Sequence, residues 1–193
     1  MTTLCFASRN AHKRDEIAAQ LGDRFRLLTL DEVGLADEIP EDEPTIEGNS
    51  LFKARYVWER TGLACFADDS GLEVAALDGA PGVHSAYYAG PQRSATDNIA
   101  LLLRHLASQP DRRARFKTVI TLFWEGQPHQ FTGTVEGDIL PAPVGTNGFG
   151  YDPVFRPLGL DQSFGQLDQA HKNLISHRAR AVQQLVAFLA QKS

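Results

Sequence analysis

Leu63-Ala64-Cys65-Phe66-Ala67-Asp68-Asp69-Ser70-Gly71 is the stretch on which the reading of this chain turns. Leu63 to Ala67 form a short apolar run of the kind that makes a buried strand, and two carboxylates and a hydroxyl follow at once. Gly71 permits a backbone turn that other residues resist, so a sharp bend is expected at Asp68–Gly71. Two adjacent acids are costly to bring together unless a cation or a proton is shared there, which makes a hard metal ion the first expectation. If the strand stays extended, alternate side chains leave on opposite faces and the two acids must differ in role. One would bind Mg²⁺ while the other holds an attacking water or a neighbouring lysine, Lys53. An acidic turn that merely caps nearby amides is the plainer alternative.

Upstream of this stretch, Thr2–Ala7 reads as a strand and Ala11–Leu21 as a helix stopped by Gly22. Phe25–Leu30 reads as a second strand. Residues 31–47 are acidic and carry Pro40 and Pro44, which suits an exposed connection. Asn49 or Ser50 is expected to cap a helix running to about Arg60, with Leu51, Ala54 and Trp58 facing a core and Gly62 just beyond its end.

Downstream, Gly79-Ala80-Pro81-Gly82 is turn chemistry, and Thr96 or Asp97 is expected to introduce a helix containing Ile99, Leu102, Leu103 and Leu106. Phe116–Trp124 and Gln130–Leu140 alternate like strands and are joined through Glu125-Gly126-Gln127-Pro128, which predicts a long antiparallel hairpin. A Gly-rich loop follows at 145–150, and a helix from about Ser176 to Gln191 closes the chain. Strands alternate with helices early and pair as a hairpin late. The fold class predicted is therefore α/β, a long mixed central sheet flanked by helices, in one domain over residues 1–193 with two lobes around a cleft.

Composition narrows the function. A chain of 193 residues with 42% hydrophobic content can bury one sizeable core. The formal net charge of −5 argues against the broad basic face that tracks a nucleic-acid polymer, so phosphate recognition should be local and a mononucleotide the better partner. Cys5 and Cys65 lie in apolar runs and make no framework of bridges, which suits a reducing, cytoplasmic setting. The apolar run Leu4–Ala7 is too short for a secretory or membrane-spanning segment.

Lys13 falls in the first turn of its predicted helix, and His177 and Arg178 fall in the first turn of theirs. Helix starts carry partial positive charge and unpaired amides, so cations there are unfavourable unless an anion binds. A phosphate would accept both the amides and the Lys13 ammonium. The alternative is that each side chain swings into water. Asn49 and Lys53 lie four apart and project from one helical face, where Lys53 could offset charge on a phosphoryl group or on the acids. In Gly145–Pro153 the glycines would let a flat ligand approach closely, with Phe149 stacking on a base and Asp152 accepting from a ring N–H or fixing a neighbouring loop. Aromatics plugging a core turn are the alternative there. The chain holds no Walker loop, no dinucleotide fingerprint, no HExxH, no CxxC and no GxSxG.

Taken in order, SRNAHK at 8–13, NSLFKA at 49–54, ADDSGLEV at 67–74, GAPGVHSAYYAG at 79–90, GFGYDPVF at 148–155 and KNLISHRARA at 172–181 resemble the inosine triphosphate pyrophosphatase family, the dITP/XTP pyrophosphatases. The resemblance runs nearly end to end. It implies Mg²⁺-dependent hydrolysis of non-standard purine nucleoside triphosphates to the monophosphate and pyrophosphate by a homodimer. It places phosphate binding on Ser8, Arg9, Asn10, Ala11, His12 and Lys13, with Asn49 and Ser70 as further substrate contacts. Asp69 matches the general base and metal ligand, Asp68 and Lys53 assist it, and Glu41 is the best register for a second metal ligand, with Asp42 and Glu43 adjacent. The implied base pocket is Phe149, Gly150, Tyr151 and Asp152, completed by Lys172, His177 and Arg178. Three positions depart from the family pattern: Arg9 stands for a small residue, Gly48 for a glutamate and His171 for an acid. A related pyrimidine triphosphate pyrophosphatase and a nucleotide-binding sensor that does not hydrolyse are the competing readings.

Overall fold

A computed structural model describes residues 2–192. Six strands form one mixed sheet in the order β2-β1-β3-β4-β5-β6, where β1 is Thr2–Phe6, β2 Phe25–Leu28, β3 Cys65–Val74, β4 Arg113–Trp124, β5 Gln127–Ile139 and β6 Phe155–Pro157. The α/β class expected from the alternation of patterns is the fold observed. β1 runs parallel to both β2 and β3, with Cys5 level with Cys65 and Phe6 with Phe66, while β5 and β6 are antiparallel. The two-residue turn Glu125-Gly126 joins β4 to β5, and both residues take positive φ. Such a turn matches the twist of a tight hairpin.

The helices are α1 (Ala11–Leu21), α2 (Ile46–Thr61), α3 (Ala95–His105), α4 (Gln169–Ile175) and α5 (His177–Ala190). The chain divides into two compact units, one of Met1–Asp69, Thr118–Gly133 and Arg178–Ser193, the other of Ser70–Lys117 and Thr134–His177.

In the first unit the period of two along each strand sorts side chains into two cores. Leu4, Phe6, Phe66, Ile120 and Leu122 pack with Ile17 and Leu21 of α1 and with Val182, Leu185 and Leu189 of α5. Their neighbours Cys5, Ala7, Cys65, Ala67 and Phe123 pack on the opposite face with Ala54 and Val57 of α2. In the second unit Leu72, Val74, Phe116, Val135 and Ile139 pack with Ile99 and Leu102 of α3 and with Phe155 and Phe164.

Several sequence expectations need correction. No bend occurs at Asp68–Gly71: β3 continues through Val74, and Gly71 is absent from the residues with positive φ. The acids survive inside a strand because helices on both faces supply cations to them. The cap of α2 is Thr45, whose Oγ1 accepts from the Gly48 N–H at 3.0 Å, not Asn49 or Ser50. Both of those side chains are buried and spent elsewhere, Ser50 on the Ala67 carbonyl. Ser94, rather than Thr96 or Asp97, caps α3. The hairpin strands are longer than expected, and β6 and α4 had no counterpart in the sequence reading.

Candidate active site

The first unit carries a charged cluster centred on β3, and pleating divides it in two. Asp68 shares the face of Phe66. Its carboxylate accepts from Lys13 Nζ of α1 at 3.2 Å and from Arg178 Nε of α5 at 3.3 Å, and Arg178 Nη1 also donates to buried Glu16 of α1. Asp68 and Arg178 are essentially inaccessible to solvent. Burial alone would push the Asp68 carboxyl up, but Lys13, Arg178 and Lys53 outweigh it and hold the group well below the usual carboxylate range. Burial lowers the Lys13 ammonium, with Asp68 opposing that shift. The two cations at helix starts are thus answered by carboxylates, and Glu16, one turn beyond Lys13 on the same face, is a partner that the sequence reading missed. Its signal was a charge beside Ile17 on the apolar side of α1.

Asp69 leaves β3 on the other face, towards α2. Lys53 Nζ lies 3.7 Å from Asp69 Oδ1 and 2.6 Å from Glu41 Oε1, an acid–cation–acid array. Asn49 Nδ2 donates to Asp69 Oδ2 at 3.3 Å, while its Oδ1 accepts the Glu43 N–H at 3.0 Å. Asn49 therefore ties the acidic connection to the same carboxylate. Of the three acids at 41–43, Glu41 is the one whose carboxylate meets Lys53. Burial raises the Asp69 carboxyl; Lys53 and Lys13 oppose the shift, and Glu41 and Asp68 add to it. Burial would lower Lys53, but Asp69, Glu41 and Asp68 raise it overall, so it stays charged.

Of the residues expected to bind phosphate, Ser8, Arg9 and Asn10 lie between β1 and α1, and Ala11, His12 and Lys13 form the first turn of α1. Asn10 caps α1, its Oδ1 accepting the Lys13 N–H at 3.1 Å, and Ser8 Oγ accepts the Asn10 N–H at 3.2 Å. Ala11 and His12 are exposed in the first turn. Arg9 points its guanidinium at Asp31 and at the carbonyls of Leu35 and Ala36.

The second unit carries a separate cluster. Asp152 Oδ2 accepts the Phe149 N–H at 2.9 Å and Lys172 Nζ of α4 at 2.7 Å. The Lys172 ammonium also stands 4.7 Å from the centre of the Phe149 ring, within cation–π range. Gly148 is required here: its φ is +74°, and a Cβ would lie 2.1 Å from Asp152 Oδ2. Asp152 thus fixes its own loop. Tyr151 is buried, its hydroxyl donating to the Ser85 carbonyl at 2.7 Å, and Gly150 is half-buried. His177 stacks on Phe116 with ring centres 4.6 Å apart and planes 9° from parallel. Ser70 follows Asp69 on β3, half-buried.

The arrangement has counterparts. The model of the Ham1 family matches residues 4–188. The chain belongs to the Ham1 family. It is 49% identical over 186 residues to a dITP/XTP pyrophosphatase of Flavobacterium johnsoniae, covering 96% of this chain and 97% of the relative. It is 50% identical to a dITP/XTP pyrophosphatase of Porphyromonas gingivalis, covering 98% of each. Among solved structures, the Staphylococcus aureus Ham1 protein matches with a TM-score of 0.92 at 36% identity over the full length of both chains. A protein of Mycobacterium abscessus described as a nucleoside-triphosphatase or dITP/XTP pyrophosphatase matches with a TM-score of 0.80 at 40% identity, over 95% of this chain and 98% of that one. The resemblance read from six short motifs is borne out along the whole Ham1 chain. Among the described residues no helix is long and apolar enough to cross a membrane.

Proposed function

We propose that this Ham1 protein hydrolyses non-standard purine nucleoside triphosphates, ITP, dITP and XTP, to the nucleoside monophosphate and pyrophosphate. The observation that carries the reading is the Glu41–Lys53–Asp69 array, in which a single ammonium stands between two carboxylates. Relatives about half identical to this chain carry the name of that activity.

The roles divide by face. Asp68, held ionised by Lys13 and Arg178, anchors the Lys13 ammonium, which meets the phosphates. Asp69, with its carboxyl raised, orients a water on the α-phosphorus and takes a proton from it. A bond forms between the water oxygen and the α-phosphorus as the α–β anhydride bond breaks, and pyrophosphate leaves. Lys53 offsets the charge that develops on the phosphoryl oxygens. Ser8, Asn10 and the first amides of α1, at Ala11 and His12, complete the phosphate contacts.

The donor set suits a hard divalent cation such as Mg²⁺. Asp69 and Glu41 offer oxygen ligands on either side of Lys53. Among the described residues no group of three or more His, Cys, Asp or Glu side chains is set to hold a metal. Mg²⁺ needs no such cage, since it commonly binds through one or two carboxylates plus substrate phosphates. When bound, the cation would neutralise phosphate charge and polarise the α-phosphoryl group.

Base choice falls to the cluster of Phe149, Asp152, Lys172 and His177; Arg178, which the sequence reading set with them, is held by Asp68 and Glu16. A 6-oxo purine presents an acceptor where adenine presents a donor, so donors there would be left unsatisfied by ATP. The same reading takes the protein as a cytoplasmic homodimer acting on a mononucleotide, not on a nucleic-acid polymer. Pyrophosphate release from ITP, XTP, dITP, ATP, GTP and UTP with Mg²⁺ tests it. The inosine and xanthosine nucleotides should lead by at least about tenfold. A preference for UTP, or binding without release, would overturn the assignment.

A further inference from the structure

Arg9 stands inside the loop that leads into α1, between Ser8 and the Asn10 cap, yet its side chain is spent elsewhere. Nη1 donates to Asp31 Oδ1 at 2.6 Å, and Nη2 donates to the carbonyls of Leu35 and Ala36 at 2.6 and 2.9 Å. These acceptors belong to a turn at 29–36, closed by the Val33, Gly34 and Leu35 amides and by Glu32 on the Thr29 N–H. The turn opens the connection at 29–45, which has no helix or strand and carries Glu41. On the far side of Glu41 the connection is fixed by Asn49 on the Glu43 N–H. On the near side, Leu30, Val33, Leu35 and Ile39 lean on the α2-facing core, and Arg9 adds a charged tie to the Cys5 thiol's contact with the Thr29 carbonyl.

We propose that Arg9 is a positioning residue: its guanidinium straps the loop before α1 to the 31–36 turn and thereby sets where Glu41 stands beside Lys53. It is not a phosphate ligand. A planar fork with several fixed donors can serve one carboxylate and two carbonyls at once, which an ammonium cannot match. Two segments that must meet the same polyphosphate are joined by this one side chain before any ligand arrives. The kinetic part of this inference rests on the function proposed above; the structural part does not.

Hydrogen–deuterium exchange of the metal-free protein, read at the Val33, Gly34 and Leu35 amides, tests the strap directly. Arg9→Ala should exchange there about tenfold faster than the native protein, and Arg9→Lys should fall between the two. In the kinetic arm, Arg9→Ala and Asp31→Ala should each lower kcat/KM for ITP by about three- to tenfold, and the double variant should lose no more than the worse single one. Unchanged exchange in Arg9→Ala would overturn the proposal. So would an Asp31→Ala protein with kcat/KM intact or raised beside a crippled Arg9→Ala, because a guanidinium released from Asp31 would then be serving phosphate directly. A native protein that hydrolyses no triphosphate would refute the proposed function, while the exchange measurement still decides the strap.

Discussion

Lys53 satisfies two acids with one ammonium, so its removal should be felt through Asp69. Without it, Glu41 and Asp68 remain as like charges, and of the two ammoniums that lower the Asp69 carboxyl only Lys13 is left. In Lys53→Met the acid limb of the kcat/KM profile is expected to move to higher pH, with the plateau lowered about 10²-fold. A limb that stays in place would separate the lysine from the titration of Asp69. Asp69→Asn should lose about 10²- to 10³-fold in kcat while keeping the native far-ultraviolet dichroism. Near-normal turnover would remove Asp69 from the reaction. At this scale much was legible in the sequence. Adjacent acids on an extended strand have to diverge, and the structure sends them to different helices. The Glu16 partnership with Arg178 was not legible, because the two lie 162 residues apart and only the packing of α1 beside α5 brings them together.

At the scale of elements, α2 presents both Asn49 and Lys53, and its start is fixed by one hydroxyl. Thr45→Ala should cost about 1 kcal/mol of stability, read as a lower midpoint in urea. An unchanged midpoint would mean that tertiary packing alone holds the first turn. The end of this helix was readable from Gly62, which takes the left-handed conformation after Thr61. The start was not, because Asn49 and Ser50 are good capping types whose side chains are committed to burial contacts invisible in one dimension. β3 was misjudged for a related reason: Gly71 allows a turn without requiring one, and cations from both sides permit the acids to remain in the ladder. α4 escaped notice because seven residues make barely two turns and show no apolar stripe.

At the scale of the whole molecule, the depressed Asp68 carboxyl ties folding to pH. A group whose folded pKa lies below its unfolded value of about 3.9 contributes stability above that value and loses it as pH falls towards the folded one. The metal-free protein should therefore weaken steeply below about pH 4. Asp68→Asn should flatten that acid dependence and be less stable at pH 7 by about 3–5 kcal/mol, since Lys13 loses its carboxylate and Arg178 keeps Glu16 but loses Asp68. Equal acid slopes for the two proteins would show that other carboxylates govern the loss.

The pleat of β3 imposes a parity rule on inheritance. Between the level pair Cys5–Cys65 and the two acids, inserting or deleting one residue would turn Asp68 towards α2 and Asp69 towards α1, reversing which acid meets which cations. Length changes in that interval can be tolerated only in twos, so single-codon indels there should be purged even where point substitutions pass.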